Sequence, residues 1–117
     1  MIVSEQEIFE LKKFILQLNE MKDSVVIVEG KKDSGALKKI GFTGKVLEFH
    51  KFGGMIDFTD SVSKYKRLII LFDRDKKGRT LTGKTIQLLQ RRTKIDLSFK
   101  RKLREITNGK IKFIEQL

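Results

Sequence analysis

The sequence predicts an α/β fold: a parallel sheet of about four strands with helices on both faces, preceded by an N-terminal helix. Two apolar runs predict the sheet. Val25-Val26-Ile27-Val28 and Leu68-Ile69-Ile70-Leu71-Phe72 are bounded by charge and do not alternate, as expected of strands buried on both faces. Stretches of helical period between such runs predict the crossovers. For residues 68–72 a buried helical segment is the competing reading, but the run is short and no helical period leads into it.

In chain order, Ser4-Glu5-Gln6-Glu7 has capping-box spacing, and Ile8, Leu11, Ile15 and Leu18 follow at helical intervals. An amphipathic helix is expected over roughly 5–21, its apolar face widened by Phe9, Phe14, Leu16 and Met21. Residues 1–22 thus form a helix packed on a domain that occupies 23–117. After Asp23-Ser24 comes the first strand, which stops at Glu29-Gly30-Lys31-Lys32-Asp33. Gly30 permits a tight turn or a close backbone approach there. Asp33 or Ser34 can cap a helix that ends near Ile40, with Gly41 as its stop. Lys45–Phe49 is a weaker strand, followed by a turn through Gly53-Gly54 and a short helix within 55–65 that turns Ile56, Val62 and Tyr65 inward. Beyond the central strand, Thr80–Arg92 reads as a helix through Leu81, Thr85, Leu88 and Leu89. Asp96 can cap a further helix, Leu97–Thr107, with Phe99, Leu103 and Ile106 on its inner face. Asn108-Gly109 turns into a last strand, Lys110–Ile114.

A chain of 117 residues with 39% hydrophobic content supports one domain. No apolar run approaches the ~20 residues of a membrane span, so no membrane association is expected. Ser4, Glu5, Glu7 and Glu10 interrupt any basic-then-apolar signal pattern. The absence of cysteine excludes disulfides, cysteine-bound zinc and iron–sulfur clusters, and a reducing cytoplasmic setting is expected. Lys and Arg number 26 against 15 Asp and Glu, for a net charge of +11. Such a domain attracts polyanions, nucleic acid first among them. Adaptation to heat accounts for the lysines equally well.

The chemistry concentrates after the two strongest strands. In open α/β sheets the working groups lie just past the carboxyl ends of the strands. If the chain stays extended, Asp73 and Asp75 point to the same side and crowd two negative charges, which a divalent cation would relieve. An ordinary solvated loop is the alternative. Glu29, leaving the other strand, adds a third carboxylate at the same edge and raises the metal reading above the bland one. Lys31, Lys32, Arg74, Lys76, Lys77 and Arg79 border this edge and are candidate phosphate contacts. Arg91, Arg92, Lys94, Lys100, Arg101, Lys102 and Arg104 read either as a solvated helical face or as a nucleic-acid track, with the track favoured by the uncancelled net charge. His50 could face the same edge, though a lone histidine is usually structural. Phe52, in a loop, is the aromatic placed to stack on a base.

Val-Ile-Val-Glu-Gly-Lys-Lys-Asp (26–33) followed by Leu-Phe-Asp-Arg-Asp-Lys-Lys-Gly-Arg (71–79) resembles the Toprim domain. Type IA and type II topoisomerases, DnaG-type primases, OLD-family nucleases, RecR and the 5S rRNA maturation nuclease share it. The resemblance covers about Val25 to Ile114 and implies a Toprim-like Rossmannoid sheet; the length suits the small stand-alone members. By position it implies that Glu29 is the general acid or base and also touches metal, and that Asp73 and Asp75 bind Mg2+ (or Mn2+). Gly30 matches the glycine at the strand exit, and Gly53-Gly54 a small-residue turn. This sequence departs from many topoisomerases in offering Lys76 and Lys77 where they carry a third acid. Its one tyrosine, Tyr65, precedes the central strand, toward the opposite end of the sheet from the acids, and the zinc module of primases has no cysteines here.

The expected function is Mg-dependent phosphodiester chemistry of nuclease type, with RNA favoured slightly over DNA. The alternative is a non-catalytic nucleic-acid-binding accessory of an RNA-processing, repair or ribosomal assembly. A homodimer through the first helix would be compatible with either. A phosphotransfer enzyme for small substrates fits the basic surface poorly.

Overall fold

The apolar runs form the centre of a four-stranded, all-parallel sheet. The structure is a computed structural model and describes residues 5–73 and 75–106. In chain order the elements are α1 (Glu5–Asn19), β1 (Ser24–Val28), α2 (Lys31–Lys39), β2 (Val46–Glu48), α3 (Met55–Val62), β3 (Arg67–Ile70), α4 (Lys76–Leu89), β4 (Lys94–Asp96) and α5 (Ser98–Ile106), with a 3₁₀ turn at Phe49–Lys51. The strands lie side by side in the order β2-β1-β3-β4.

Side chains alternate across a strand, so two fully apolar strands feed two cores. Val26, Val28, Ile69 and Leu71 face α1, α2 and α5, meeting Phe14, Ile15, Leu18, Leu37, Phe99, Leu103 and Ile106. Val25, Ile27, Leu68, Ile70 and Phe72 face the other way, onto Phe58 and Val62 of α3 and Leu89 of α4. This division follows from connection handedness. The step from β1 to β2 moves one way along the sheet, and the steps to β3 and β4 move the other way. Right-handed crossovers therefore put α2 on one face and α3 and α4 on the opposite one. The order reverses between β1 and β3, and there the crossovers diverge to leave a crevice at the carboxyl edge.

The α5 face carries one buried ionic link. The Arg67 guanidinium donates to Asp96 at 2.7 Å, and Asp96 also accepts from the Ser98 amide at 2.8 Å. Burial opposes the charged form of Asp96, but the Ser98 hydroxyl and amide and the Arg67 guanidinium outweigh it and hold the carboxyl below its ordinary range.

Several sequence expectations are corrected. The fourth strand is Lys94–Asp96, which pairs Leu68 with Ile95; the expected strand 110–114 lies outside the described residues, as does the Ser4 cap. Helix α4 begins at Lys76 rather than Thr80 because Asp75 caps it. The widened apolar face of α1 does not close: Phe9 and Leu16 are both 63% exposed, while Phe14 takes the core position. Ile56 points outward, at 66% exposure. Phe52 is half-buried with its ring edge-on to Phe58 at 5.3 Å, so it serves the α3-side core rather than a base.

Candidate active site at the carboxyl edge of the sheet

A hydrogen bond bridges the crevice between β1 and β3. Glu29, the residue after β1, accepts from the backbone amide of Asp73 through Oε2 at 2.8 Å. The bond spans the switch point and joins the two loops that leave the central strands. The backbone carbonyl of Glu29 accepts in turn from the amide of His50 at 3.1 Å, which ties in the exit of β2. Glu29 is therefore a clasp as well as a candidate proton carrier.

Asp73 is half-buried in the loop from β3 to α4. Asp75 is the N-cap of α4, its Oδ1 accepting from the Gly78 amide at 2.7 Å. A glycine is required at 78 by close approach: a Cβ there would stand 1.8 Å from the carbonyl oxygen of Asp73. Sequence reasoning passed over Gly78, although the spacing Asp75-x-x-Gly78 of a cap and its N3 amide was there to signal it. Gly30 is different. It caps α2 in extended backbone (φ −148°, ψ −177°), and an added Cβ would meet no atom within 4 Å. The turn does not demand glycine; the space beside it is open. Gly54, at φ +112°, does require glycine's conformational freedom as the N-cap of α3, and the Gly53 amide donates to Asp57 at 2.7 Å.

Lys31 and Lys32 lie exposed on the first turn of α2, and Lys76, Lys77 and Arg79 on the start of α4, so both helices present cations toward the edge. Arg74 lies outside the described residues. Asp33 is buried and holds the Gly30 amide at 3.0 Å, a structural use.

The expected basic track is divided by the fold. Arg91 and Arg92 follow the last turn of α4 at the amino edge, away from the carboxylates, and Arg92 pairs with Asp60 at 3.5 Å. Lys94 opens β4 at that same edge. Lys100, Arg101, Lys102 and Arg104 belong to α5, which starts at the carboxyl edge after β4; Lys102 bonds Gln17 of α1. Tyr65, before β3, also sits at the amino end.

A further carboxylate at this edge, beside Glu29, Asp73 and Asp75, was not singled out in the sequence. Glu48 ends β2 beside Val28 and accepts from Ser34 at 2.9 Å, with His50 Nε2 at 2.8 Å from its other oxygen. The His50 contact, with help from Ser34 and Lys51 against the cost of burial, lowers the Glu48 carboxyl. The signal would have been an acid at the end of a strand next to a histidine two residues on. His50 reaches the edge as expected, but in partnership with Glu48.

The donor set fits magnesium, which takes oxygen ligands, keeps several waters and needs only one or two carboxylates besides substrate phosphate. It does not form a closed cage. Among the described residues no group of three or more His, Asp and Glu side chains is gathered closely enough to hold an ion. Glu29 is drawn to the Asp73 backbone, and Asp75 is turned to its helix.

The Toprim domain profile matches residues 24–115. A UPF0292 protein of Pyrococcus furiosus is 33% identical over 108 residues, covering 92% of this chain and 81% of that one. Another, from Archaeoglobus fulgidus, is 31% identical over 114 residues, covering 92% and 89%. A solved structure of a protein from Aquifex aeolicus superposes with a TM-score of 0.76 at 30% identity, covering 92% of this chain and 97% of its own. The Toprim domain associates the chain in general with metal binding and nucleic acid. No described helix is long and apolar enough to cross a membrane. A profile match across the whole sheet, with the Glu29 clasp at its switch point, makes this chain a member of the Toprim domain family and one of the UPF0292 proteins.

Proposed function

We propose that this domain performs Mg2+-dependent (or Mn2+-dependent) phosphodiester chemistry of nuclease type on nucleic acid in the cytoplasm, on RNA in preference to DNA. The observation that carries the reading is the hydrogen bond from the Asp73 amide to Glu29, which fixes the acidic loop of β3 to the exit of β1 in the crevice where α/β sheets take their ligands. Asp73 and Asp75 would hold the ion, whose chemistry is to polarise a phosphodiester and stabilise charge on its oxygens. Glu29 uses Oε2 for the Asp73 amide, so Oε1 is the atom to receive or return the proton of the attacking or leaving oxygen. Lys31, Lys32, Lys76, Lys77 and Arg79 hold the backbone by charge, without reading bases.

The test is cleavage of mixed RNA and DNA substrates with and without magnesium, by the wild type and by Asp73→Asn. Metal-dependent cleavage that the variant loses is expected; equal cleavage by both overturns the assignment. The dispersed carboxylates favour a second reading, a nucleic-acid-binding accessory within a larger assembly or a homodimer. It predicts salt-sensitive binding that survives loss of Asp73 and Asp75, with no turnover.

A further inference from the structure

Because all four strands run parallel, the turns that lead into them gather at one edge of the sheet, opposite Glu29, Asp73 and Asp75. Each turn brings an exposed cation: Lys45 before β2, Lys22 before β1, Lys64 and Lys66 before β3, and Arg91 and Lys94 at the start of β4. Acids are present but fewer. Glu20 and Asp23 flank Lys22, and Asp60, near the end of α3, pairs with Arg92 at 3.5 Å. Helix dipoles favour cations at carboxyl ends, but the effect fades within the last turn. That accounts for Lys64 and Arg91, each directly past a helix. It does not account for Lys45, Lys66 and Lys94, which stand well beyond the ends of α2, α3 and α4.

Tyr65 organises the middle of this edge. The Lys45 ammonium lies 5.2 Å from its ring centroid and the Lys64 ammonium 5.4 Å, both attracted by the ring quadrupole. Lys45 enters β2, and β1 lies between β2 and β3, so its stem crosses the start of β1 to reach the ring. Two like charges from separate strands are thereby held at one aromatic ring. The backbone beneath them is tied by the sheet. The Thr93 hydroxyl donates to the Tyr65 carbonyl, the Lys94 amide to the Lys66 carbonyl at 3.1 Å, and the Val26 amide to the Lys45 carbonyl at 3.0 Å.

We propose that this amino edge is a second nucleic-acid-binding surface, which holds a length of phosphate backbone away from the carboxylates. It takes its polyanion from the nucleic-acid reading above and does not depend on the chemistry at the carboxyl edge. Strands about 4.8 Å apart make a row of about 14 Å, the length of about four phosphates along one strand of a duplex. A linear polyanion matches such a row. Among the described residues these turns expose no large apolar side chain of the kind that anchors a basic segment in a lipid surface. The five residues of β1 put about 16 Å between the two edges, so a short oligomer meets one edge and a long strand reaches both.

Two measurements test this. The first is anisotropy of a labelled RNA of about 30 nucleotides, in chelator to prevent turnover, across a salt series. It compares the wild type with Lys45→Gln/Lys64→Gln, with Lys66→Gln/Lys94→Gln, which leaves the Tyr65 ring contacts in place, and with a charge-matched control. The control is Lys12→Gln/Lys84→Gln, midway along α1 and α4. Loss of two phosphate contacts should make the salt slope of each edge variant shallower by about 1.4–1.8 and weaken binding about 10–30-fold near physiological salt. The control should stay within about twofold of the wild type. Wild-type affinity in either edge variant, or equal loss in the control, overturns the surface. Sedimentation with vesicles of phosphatidylserine and phosphatidylcholine, lost by the edge variants while RNA affinity holds, would assign the edge to lipid and overturn it too.

The second measurement titrates an RNA of about six nucleotides and follows backbone amide NMR shifts. Saturable shifts at Tyr65, Lys66 and Lys94 are expected, separate from those at Lys32 and Lys77 and lost in Lys45→Gln/Lys64→Gln. Shifts at the carboxyl edge alone overturn the second surface and leave the proposed chemistry standing. Shifts at the amino edge, with no metal-dependent cleavage by the wild type, sustain the surface and count against that chemistry. No shift at either edge overturns both.

Discussion

Replacing Gly78 by alanine opposes two effects of known sign. Gly78 is in the first turn of α4, where helix propensity alone makes Gly→Ala stabilising by up to about 1 kcal/mol. Against that, the new Cβ would sit 1.8 Å from the Asp73 carbonyl oxygen and 2.6 Å from its carbon. Restoring even a 3.0 Å contact needs 3.0 − 1.8 = 1.2 Å of movement, and the obstacle is backbone rather than the end of a flexible side chain. The same peptide segment carries the amide that donates to Glu29 at 2.8 Å, and the Gly78 amide donates to Asp75 at 2.7 Å. A shift of that size stretches the first bond out of range and strains the second. Losing a hydrogen bond to a charged acceptor costs about 1.5–3 kcal/mol, and a helix cap about 1 kcal/mol. After the propensity gain, a net loss of about 2–3 kcal/mol remains, a fall in Tm of roughly 10 °C. Since a misplacement of ~1 Å can lower a catalysed rate about 100-fold, activity should fall further than stability. Thermal melting and metal-dependent cleavage measure the two. A Tm equal to or above the wild type, with unchanged cleavage, would refute the claim that Gly78 locks the acidic loop.

Three other substitutions separate roles that the geometry combines. Gly30→Ala meets open space in an ordinary backbone conformation, so melting should change by less than about 1 kcal/mol while nucleic-acid affinity drops, because the methyl enters the space kept for the ligand. Asp75→Ser keeps a side chain able to cap α4, whereas Asp75→Ala also gives up about 1 kcal/mol of cap; both should abolish metal-dependent cleavage, and only the alanine should lower Tm. Asp96 has its carboxyl lowered in the folded state, so its contribution is present above the unfolded carboxyl pKa of about 4 and is lost as pH falls through the folded value. Melting of Asp96→Asn against wild type should show a gap of about 1–3 kcal/mol at neutral pH that closes below about pH 4; a pH-independent gap would mean that the link is not ionic.

Much of the fold was legible because the two central strands are apolar on both faces, a pattern that neither surface strands nor amphipathic helices share. The weaker elements were less legible for a physical reason. Lys94-Ile95-Asp96 is three residues at a sheet edge, and its pairing to β3 is specified by Arg67 and Ile69 across the ladder rather than by its own composition. The start of α4 was missed because Asp75 was weighed as a ligand when it also serves as a cap. Phe52 reads as a base-stacking candidate because it sits in a loop; its partial burial comes from Phe58 of α3, a contact that the sequence does not display. Glu29 and Asp73 could be placed at the same edge from strand order, but not the bond between them, because it runs from a side chain to a backbone amide. Such bonds depend on how a loop bends.

The electrostatics of the edge bear on which anion it can hold. Helices α2 and α4, which begin beside the acids, carry lysines in the first turn, where the helix dipole disfavours cations by roughly 0.3–1 kcal/mol each. A helix start can offset this by presenting free backbone amides to a phosphate, as phosphate-cradling loops do. Here Asp33 occupies the Gly30 amide and Asp75 occupies the Gly78 amide. The protein's own acids therefore take one donor at each of these helix starts, and more of the affinity for phosphate falls to the ammonium groups of Lys31, Lys32, Lys76 and Lys77. Those groups are exposed point charges on long stems, which follow a backbone without fixing the orientation of any one phosphate. Such a surface holds a mononucleotide weakly and gains by summing many contacts along a strand, with the steep salt dependence that follows. The arrangement that makes the site poor at cradling a small phosphate ester thus makes it suited to a polynucleotide.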